Sequence, residues 1–129
     1  MSYQGWGCSA WLTDWEFIKS IAPDEAKNYE KACKETYPDD ELPMDEAAYY
    51  LSLQEIDGGE PIVVALIKLN DKFCKETGGL TLDSGWISYE EVDSDVHGGV
   101  WYVGGVKEFT PAGKKYEKNL RYEQWVEYG

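Results

Sequence analysis

The stretch PIVVALIKLNDKFCKETGG, residues 61–79, divides the chain into two parts of different character. Its apolar residues recur at the spacing of one helical face, namely Val63, Leu66, Ile67, Phe73 and Cys74. Pro61 suits a first helical turn, and Gly78 suits a C-terminal cap. The pattern therefore predicts a core helix. Its first half, IVVALIKL, is also compatible with a buried strand.

The residues before this stretch have helical patterns. Thr13 and Glu16 have the spacing of a capping box, which predicts a helix over residues 14–21. A second helix is expected over residues 23–37, because proline and two acids suit its first turn. A third is expected to begin after Pro43.

After residue 79 the composition becomes typical of strands. The segments GWISYEEVD (85–93), GGVWYVGGVKEF (98–109) and RYEQWVEYG (121–129) are rich in β-branched and aromatic residues. Between the last two, Thr110 and Pro111 begin a short helix. The sequence predicts an α+β fold, with N-terminal helices packed on a C-terminal antiparallel sheet of about three strands and one inserted short helix. We expect a single compact domain over residues 1–129.

Charge and composition narrow the range of functions. The 129 residues carry a formal charge of −13, yet 15% are aromatic, which favours a folded acidic protein over a disordered tail. Such a charge disfavours direct contact with nucleic acid or membranes and favours a basic protein partner. There is no apolar run of membrane-spanning length. Sparse cysteines and the absence of a secretory pattern favour the cytoplasm.

The only histidine lies in DSDVHGG, residues 93–99. Asp93, Asp95 and His97 alternate, so on a strand they would share a face and could hold a divalent ion. The pair Gly98-Gly99 instead favours a tight hairpin turn. We interpret the segment as a turn and predict no cofactor, no metal site and no enzyme activity. A small enzyme or metal-binding protein that uses His97 with nearby carboxylates is the alternative.

Two blocks of acidic residues are the main functional indication. Residues 35–60 contain nine acids and no basic residue, and a second block precedes the histidine. Closely spaced carboxylates resemble a phosphate backbone and would bind a basic nucleic-acid groove on another protein. The predicted function is an acidic protein-binding module that inhibits a basic nucleic-acid-handling protein. In size and charge it resembles the small acidic inhibitors that phages and mobile elements direct against restriction or CRISPR machinery. The predicted partner-binding residues are Asp39, Asp40, Glu41, Asp45, Glu46, Glu90, Glu91, Asp93 and Asp95.

A second alternative comes from EFTPAGKKYEKNL, residues 108–120. Thr110, Gly113, Lys114 and Leu120 fall in places similar to the helix entry that follows the wing of winged-helix transcription regulators. That resemblance implies a recognition helix over residues 111–121. The segment before it carries acids where such wings usually carry basic residues, so the resemblance implies a derivative that acts through protein contacts.

The tryptophans allow a further alternative. Trp6, Trp11 and Trp15 fall in the helical or pre-helical N-terminal region and are expected to pack in the core. A surface patch of tryptophans would instead indicate an assembly protein. A homodimer is compatible with either arrangement.

Overall fold

The structure, a computed structural model, describes residues 5–41, 43–52, 59–87, 100–106 and 111–128. It confirms an α+β fold with an antiparallel sheet. The strands are β1 (Gly5–Thr13), β2 (Thr81–Ile87), β3 (Val100–Gly104) and β4 (Arg121–Tyr128). The helices are α1 (Trp15–Ile21), α2 (Pro23–Thr36), α3 (Pro43–Ser52), α4 (Pro61–Thr77) and α5 (Pro111–Lys114). A short 3₁₀ helix, Glu117–Asn119, follows α5.

Within the described residues the sheet has four strands, in the order β2-β3-β1-β4, and every pairing is antiparallel. The expected count of about three strands was wrong because the N-terminus contributes β1. Residues 5–13 were expected to be helical or pre-helical, yet they form an inner strand paired with both β3 and β4. The small residues in GWGCSAWLT hide any alternation of apolar and polar side chains. This segment is a strand because it pairs with β3 and β4, and its own sequence pattern does not indicate one.

The predicted core helix is present as α4, which excludes the alternative of a buried strand. Gly78 adopts the left-handed conformation at its C-terminus, with φ 72°, as its lack of a side chain allows. The predicted apolar face was partly wrong, since Ile67 is 53% exposed while Leu69 is fully buried. The buried face is turned toward α2 and the sheet, and the apolar pattern alone did not specify that rotation.

The helices cover one face of the sheet and form the main core. Trp101 and Val103 of β3 pack against residues of α2 and α4, including Tyr29 and Phe73. On the opposite face Leu12 and Val100 form a second small cluster with Tyr102 and Trp125 packed against it. The sheet therefore has apolar side chains on both faces.

The start of α1 differs from the predicted capping box. Thr13 is buried at the end of β1, and its hydroxyl donates to the carbonyl of Asn119 at 3.1 Å. Asp14 precedes the helix without a side-chain capping bond, and its carboxylate accepts from Arg121 at 2.8 Å. A strand runs directly into the helix, so these two side chains bind the 3₁₀ helix and β4 instead of capping α1.

Candidate functional site

The first acidic block forms a surface where α2 ends and α3 begins. We call this surface the acidic corner. All but one of its carboxylates belong to exposed residues, and Asp40 is half-buried. Its described members are Glu35, Asp39, Asp40, Glu41 and Glu46.

Local sequence explains the shape of the acidic corner. Tyr37 precedes Pro38, which disfavours further helix and ends α2. The Tyr37 N–H donates to the carbonyl of Cys33 at 2.8 Å, and the Asp40 N–H donates to the carbonyl of Tyr37 at 3.3 Å. Pro43 is buried and begins α3. The turn thus holds Asp39, Asp40 and Glu41 at the surface between two helices.

The carboxylates of the acidic corner make no ion pair with the described lysines and arginines. The ion pairs within the described ranges use other acids, namely Glu16, Glu30, Glu76 and Asp14. The charge of the corner is therefore not neutralised by a described side chain in direct contact.

Helix electrostatics explain only part of this placement. Glu35 lies in the last turn of α2, and Asp39 and Asp40 follow just beyond it. A negative charge near a helix C-terminus opposes the helix dipole, at a cost of about 0.3–1 kcal/mol when exposed. Glu41 and Glu46, which flank the first turn of α3, lie at the favourable positive end of that helix. Glu35, Asp39 and Asp40 thus lie where the stability of α2 favours basic side chains.

A basic strip that was not predicted from the sequence borders the acidic corner. Lys27, Lys31 and Lys34 are exposed along α2 at helical spacing. With Glu41 and Met44 they line an open groove of about 680 Å³. The i, i+4, i+7 spacing of these lysines was the signal available in the sequence. A partner that approaches the corner also meets positive charge on this side.

Part of the predicted site lies beyond what the structure describes. Asp45 belongs to α3, but its side chain is not among those described. The segment that carries the second acidic block and His97 lies outside the described residues. The role of the second acidic block in partner binding therefore stays a prediction. The members of the second block are Glu90, Glu91, Asp93 and Asp95.

The described residues offer little for metal or thiol chemistry. Within them, no group of three or more His, Cys, Asp or Glu side chains is arranged to hold a metal ion. All three cysteines are free thiols. Burial raises the pKa of the Cys33 thiol to about 12, so this sulfur stays protonated near neutral pH.

The region similar to winged-helix regulators contains little continuous helix. Residues 111–114 form α5, and residues 117–119 form the 3₁₀ helix. Arg121 lies in β4 and binds Asp14, so it is not on a recognition helix. The exposed lysines of this segment, Lys114, Lys115 and Lys118, therefore do not lie on one long helical face.

Comparison with protein-family models, characterised proteins and solved structures finds no match for this chain. Among the helices of the described ranges, none combines the length and apolar character that a bilayer crossing requires.

Proposed function

We propose that this protein is an acidic binding module that inhibits a basic nucleic-acid-handling protein. Its carboxylates would occupy the groove in which that protein binds phosphates. Phages and mobile elements make inhibitors of this kind against restriction and CRISPR enzymes, and we propose the same role here. The observation that supports the proposal is the acidic corner, an exposed set of carboxylates without a described ion-pair partner.

The position of the acidic corner suits this role. Three of its acids, Asp39, Asp40 and Glu41, are consecutive in a turn between two packed helices. Helices hold such a turn more firmly than a free loop, so little conformational entropy is lost when it binds. A basic groove would supply the positive charge that these carboxylates lack within the described fold.

The charge of the whole chain adds a kinetic advantage. With a net charge of −13, the protein would be steered toward a basic partner over distances comparable to the Debye length, about 8 Å at physiological salt. Fast association that weakens with salt is the expected signature. The basic strip on α2 would limit this attraction to one side of the acidic corner.

The test begins with capture of a partner from host lysate at low salt and ends with affinities measured on the purified proteins. The quadruple variant D39N/D40N/E41Q/E46Q removes four negative charges from the acidic corner. We expect it to weaken binding at least tenfold, or about 1.4 kcal/mol, because each carboxylate contributes part of the electrostatic attraction. Duplex DNA should compete with the wild-type protein for the same partner.

A matched control removes the same charges elsewhere. The variant D24N/E60Q/D71N/E117Q changes two aspartates and two glutamates at described positions outside the corner. It should bind within about threefold of wild type, since only general steering is reduced. Equal losses of affinity in the two variants would rule out the acidic corner as the partner-binding surface. A partner that DNA does not displace would rule it out as well. Amide substitutions at Glu90, Glu91, Asp93 and Asp95 test the second block in the same assay.

A further inference from the structure

The basic strip on α2 is a surface of the opposite charge to the acidic corner beside it. Its three lysines, Lys27, Lys31 and Lys34, fall within about 60° of one another around the helix and span roughly 10.5 Å along its axis. All three are exposed, and they line the same open groove as Glu41 and Met44. The strip is therefore a row of positive charge on a chain whose net charge is −13.

The lysines of the basic strip form no ion pair among the described residues. Glu30 precedes Lys34 by one helical turn, which is the favourable order for a pair on a helix. Its carboxylate instead accepts from the Trp15 Nε1–H at 2.7 Å and lies 3.9 Å from the ammonium of Lys19. Glu41 lines the groove without pairing with the strip. Two patches of opposite charge thus adjoin without neutralising each other by direct contact.

We propose that a second copy of this chain binds at this surface, with the basic strip of each copy against the acidic corner of the other. Because the two patches adjoin, one two-fold axis along their boundary brings both pairs of opposite charges together. A partner that is only acidic would be attracted by the strip and repelled by the corner. A second copy presents both signs of charge in complementary order. The inference does not rest on the inhibitor function proposed above.

Apolar side chains in the groove add to this contact. Pro43 and Met44 line it together with the lysines. Met44 is half-buried, and its flexible thioether suits an irregular contact surface. Covering the groove therefore removes apolar as well as charged surface from water, which favours association.

The net charge of −13 on each copy opposes the dimer. This repulsion acts over long distances and is screened beyond about 8 Å at physiological salt, whereas the paired ammonium and carboxylate groups would be in contact. We therefore expect the dimer to be most stable at moderate salt and weaker at both about 10 mM and about 1 M. Because the interface covers the acidic corner, the second copy and a basic partner would compete for it.

Charge reversal tests the pairing of the two patches without a partner protein. The strip variant K27E/K31E/K34E makes the basic strip acidic, and the corner variant E35K/D39K/E41K makes most of the acidic corner basic. In either variant alone the two patches have the same sign, so its homodimer should weaken at least tenfold. In an equimolar mixture each patch of one variant faces a patch of opposite charge on the other. The mixture should therefore form a heterodimer.

Sedimentation velocity in about 150 mM salt measures this association, with a fluorescent label on the corner variant to identify the heterodimer. Wild type should form a species of twice 14.7 kDa, with a dissociation constant on the order of 10–100 µM. The control K75E/K114E/K118E reverses three other exposed lysines and changes the net charge as much as the strip variant. It should dimerise within about threefold of wild type, since only long-range repulsion is increased.

Three results would overturn the proposal. One is a wild type that stays monomeric at about 200 µM, well above the expected dissociation constant. Another is a mixture of the strip and corner variants that associates no better than either variant alone. The third is a control variant that loses as much affinity as the strip variant, because general repulsion would then explain both losses.

Discussion

Cys33 shows how one buried side chain acquires a protonation state that its sequence position does not indicate. Its side chain is fully buried on α2 within the main core. Burial raises its pKa to about 12, the hydrogen bond with Tyr29 opposes the rise, and the nearby charge of Glu30 adds to it. The neutral thiol therefore acts as a small apolar group rather than as a nucleophile.

This shift predicts a loss of stability at alkaline pH. Between an ordinary pKa of 9.0 and about 12, the unfolded chain releases the Cys33 proton while the folded chain keeps it. The stabilisation that the raised Cys33 pKa provides is complete below pH 9.0 and is lost as pH rises. The unfolding free energy then falls by up to about 1.4 kcal/mol per pH unit. We expect the difference in unfolding free energy between wild type and Cys33→Ala to shrink from about pH 8 to about pH 11 in urea titrations. A pH-independent difference would contradict this assignment.

Thr13 and Asp14 illustrate the same dependence on context. The spacing of Thr13 and Glu16 predicts a capping box, but Thr13 instead binds Asn119, and Asp14 binds Arg121. Both partners lie more than a hundred residues away along the chain. A local motif was present, but tertiary contacts determined what its side chains bind.

At the scale of elements, the end of α4 and the end of β3 depend on close backbone contact. Thr77 is buried at the last turn of α4, where its hydroxyl donates to the carbonyl of Phe73 at 2.6 Å and accepts from the Leu80 N–H at 3.2 Å. Just beyond, Gly105 packs against the backbone of Gly79. These contacts fix the path from α4 into β2 beside the end of β3.

Two glycine substitutions separate the contributions of backbone strain and steric overlap. Gly105 has φ 75°, and a Cβ there would overlap the carbonyl oxygen of Gly79. Gly79 has φ 128°, but no atom of the described residues beyond its chain neighbours lies within 4 Å of a Cβ built on it. We expect Gly105→Ala to cost about 3 kcal/mol, from strain and overlap together, and Gly79→Ala about 1–2 kcal/mol, from strain alone. Urea unfolding measures both, and equal losses would show that the overlap is relieved without cost.

At the scale of the whole molecule, the net charge of −13 opposes compaction. Within the described ranges, only a few carboxylates form ion pairs with lysine or arginine, so the repulsion is reduced mainly by solvent and salt. Charge that destabilises the fold in this way is consistent with a role in binding a basic partner. It also predicts how stability depends on salt.

We expect added salt to stabilise the folded protein. Raising NaCl from about 10 mM to about 300 mM shortens the Debye length and should raise the thermal midpoint by about 3–5 °C, which corresponds to about 1 kcal/mol. The variant D39N/D40N/E41Q/E46Q should show a higher midpoint than wild type at low salt and a smaller response to salt. A midpoint that falls with salt would indicate that attractive pairs dominate.

The sequence alone determined the elements that have strong local signals. Residues 23–36 and 61–77 are helices because prolines suit their first turns, apolar residues recur at helical spacing and a left-handed glycine follows α4. The last strand was predicted from alternation in RYEQWVEYG, and the acidic corner from a run of acids without a basic residue. These signals are contained within a few residues, so the chain carries them before it folds.

Only the tertiary structure decided the rest. Residues 5–13 are a strand because β3 and β4 pair with them, and that pairing joins residues about 90 to 120 positions apart. The rotation of α4 leaves Ile67 exposed, since its neighbours determine which side of a broadly apolar helix is buried. The proximity of the α2 lysines to Glu41 likewise follows from helix packing. A local sequence pattern indicates which secondary structure a segment prefers. Contacts between distant parts of the chain determine which strands pair and which helix faces are buried.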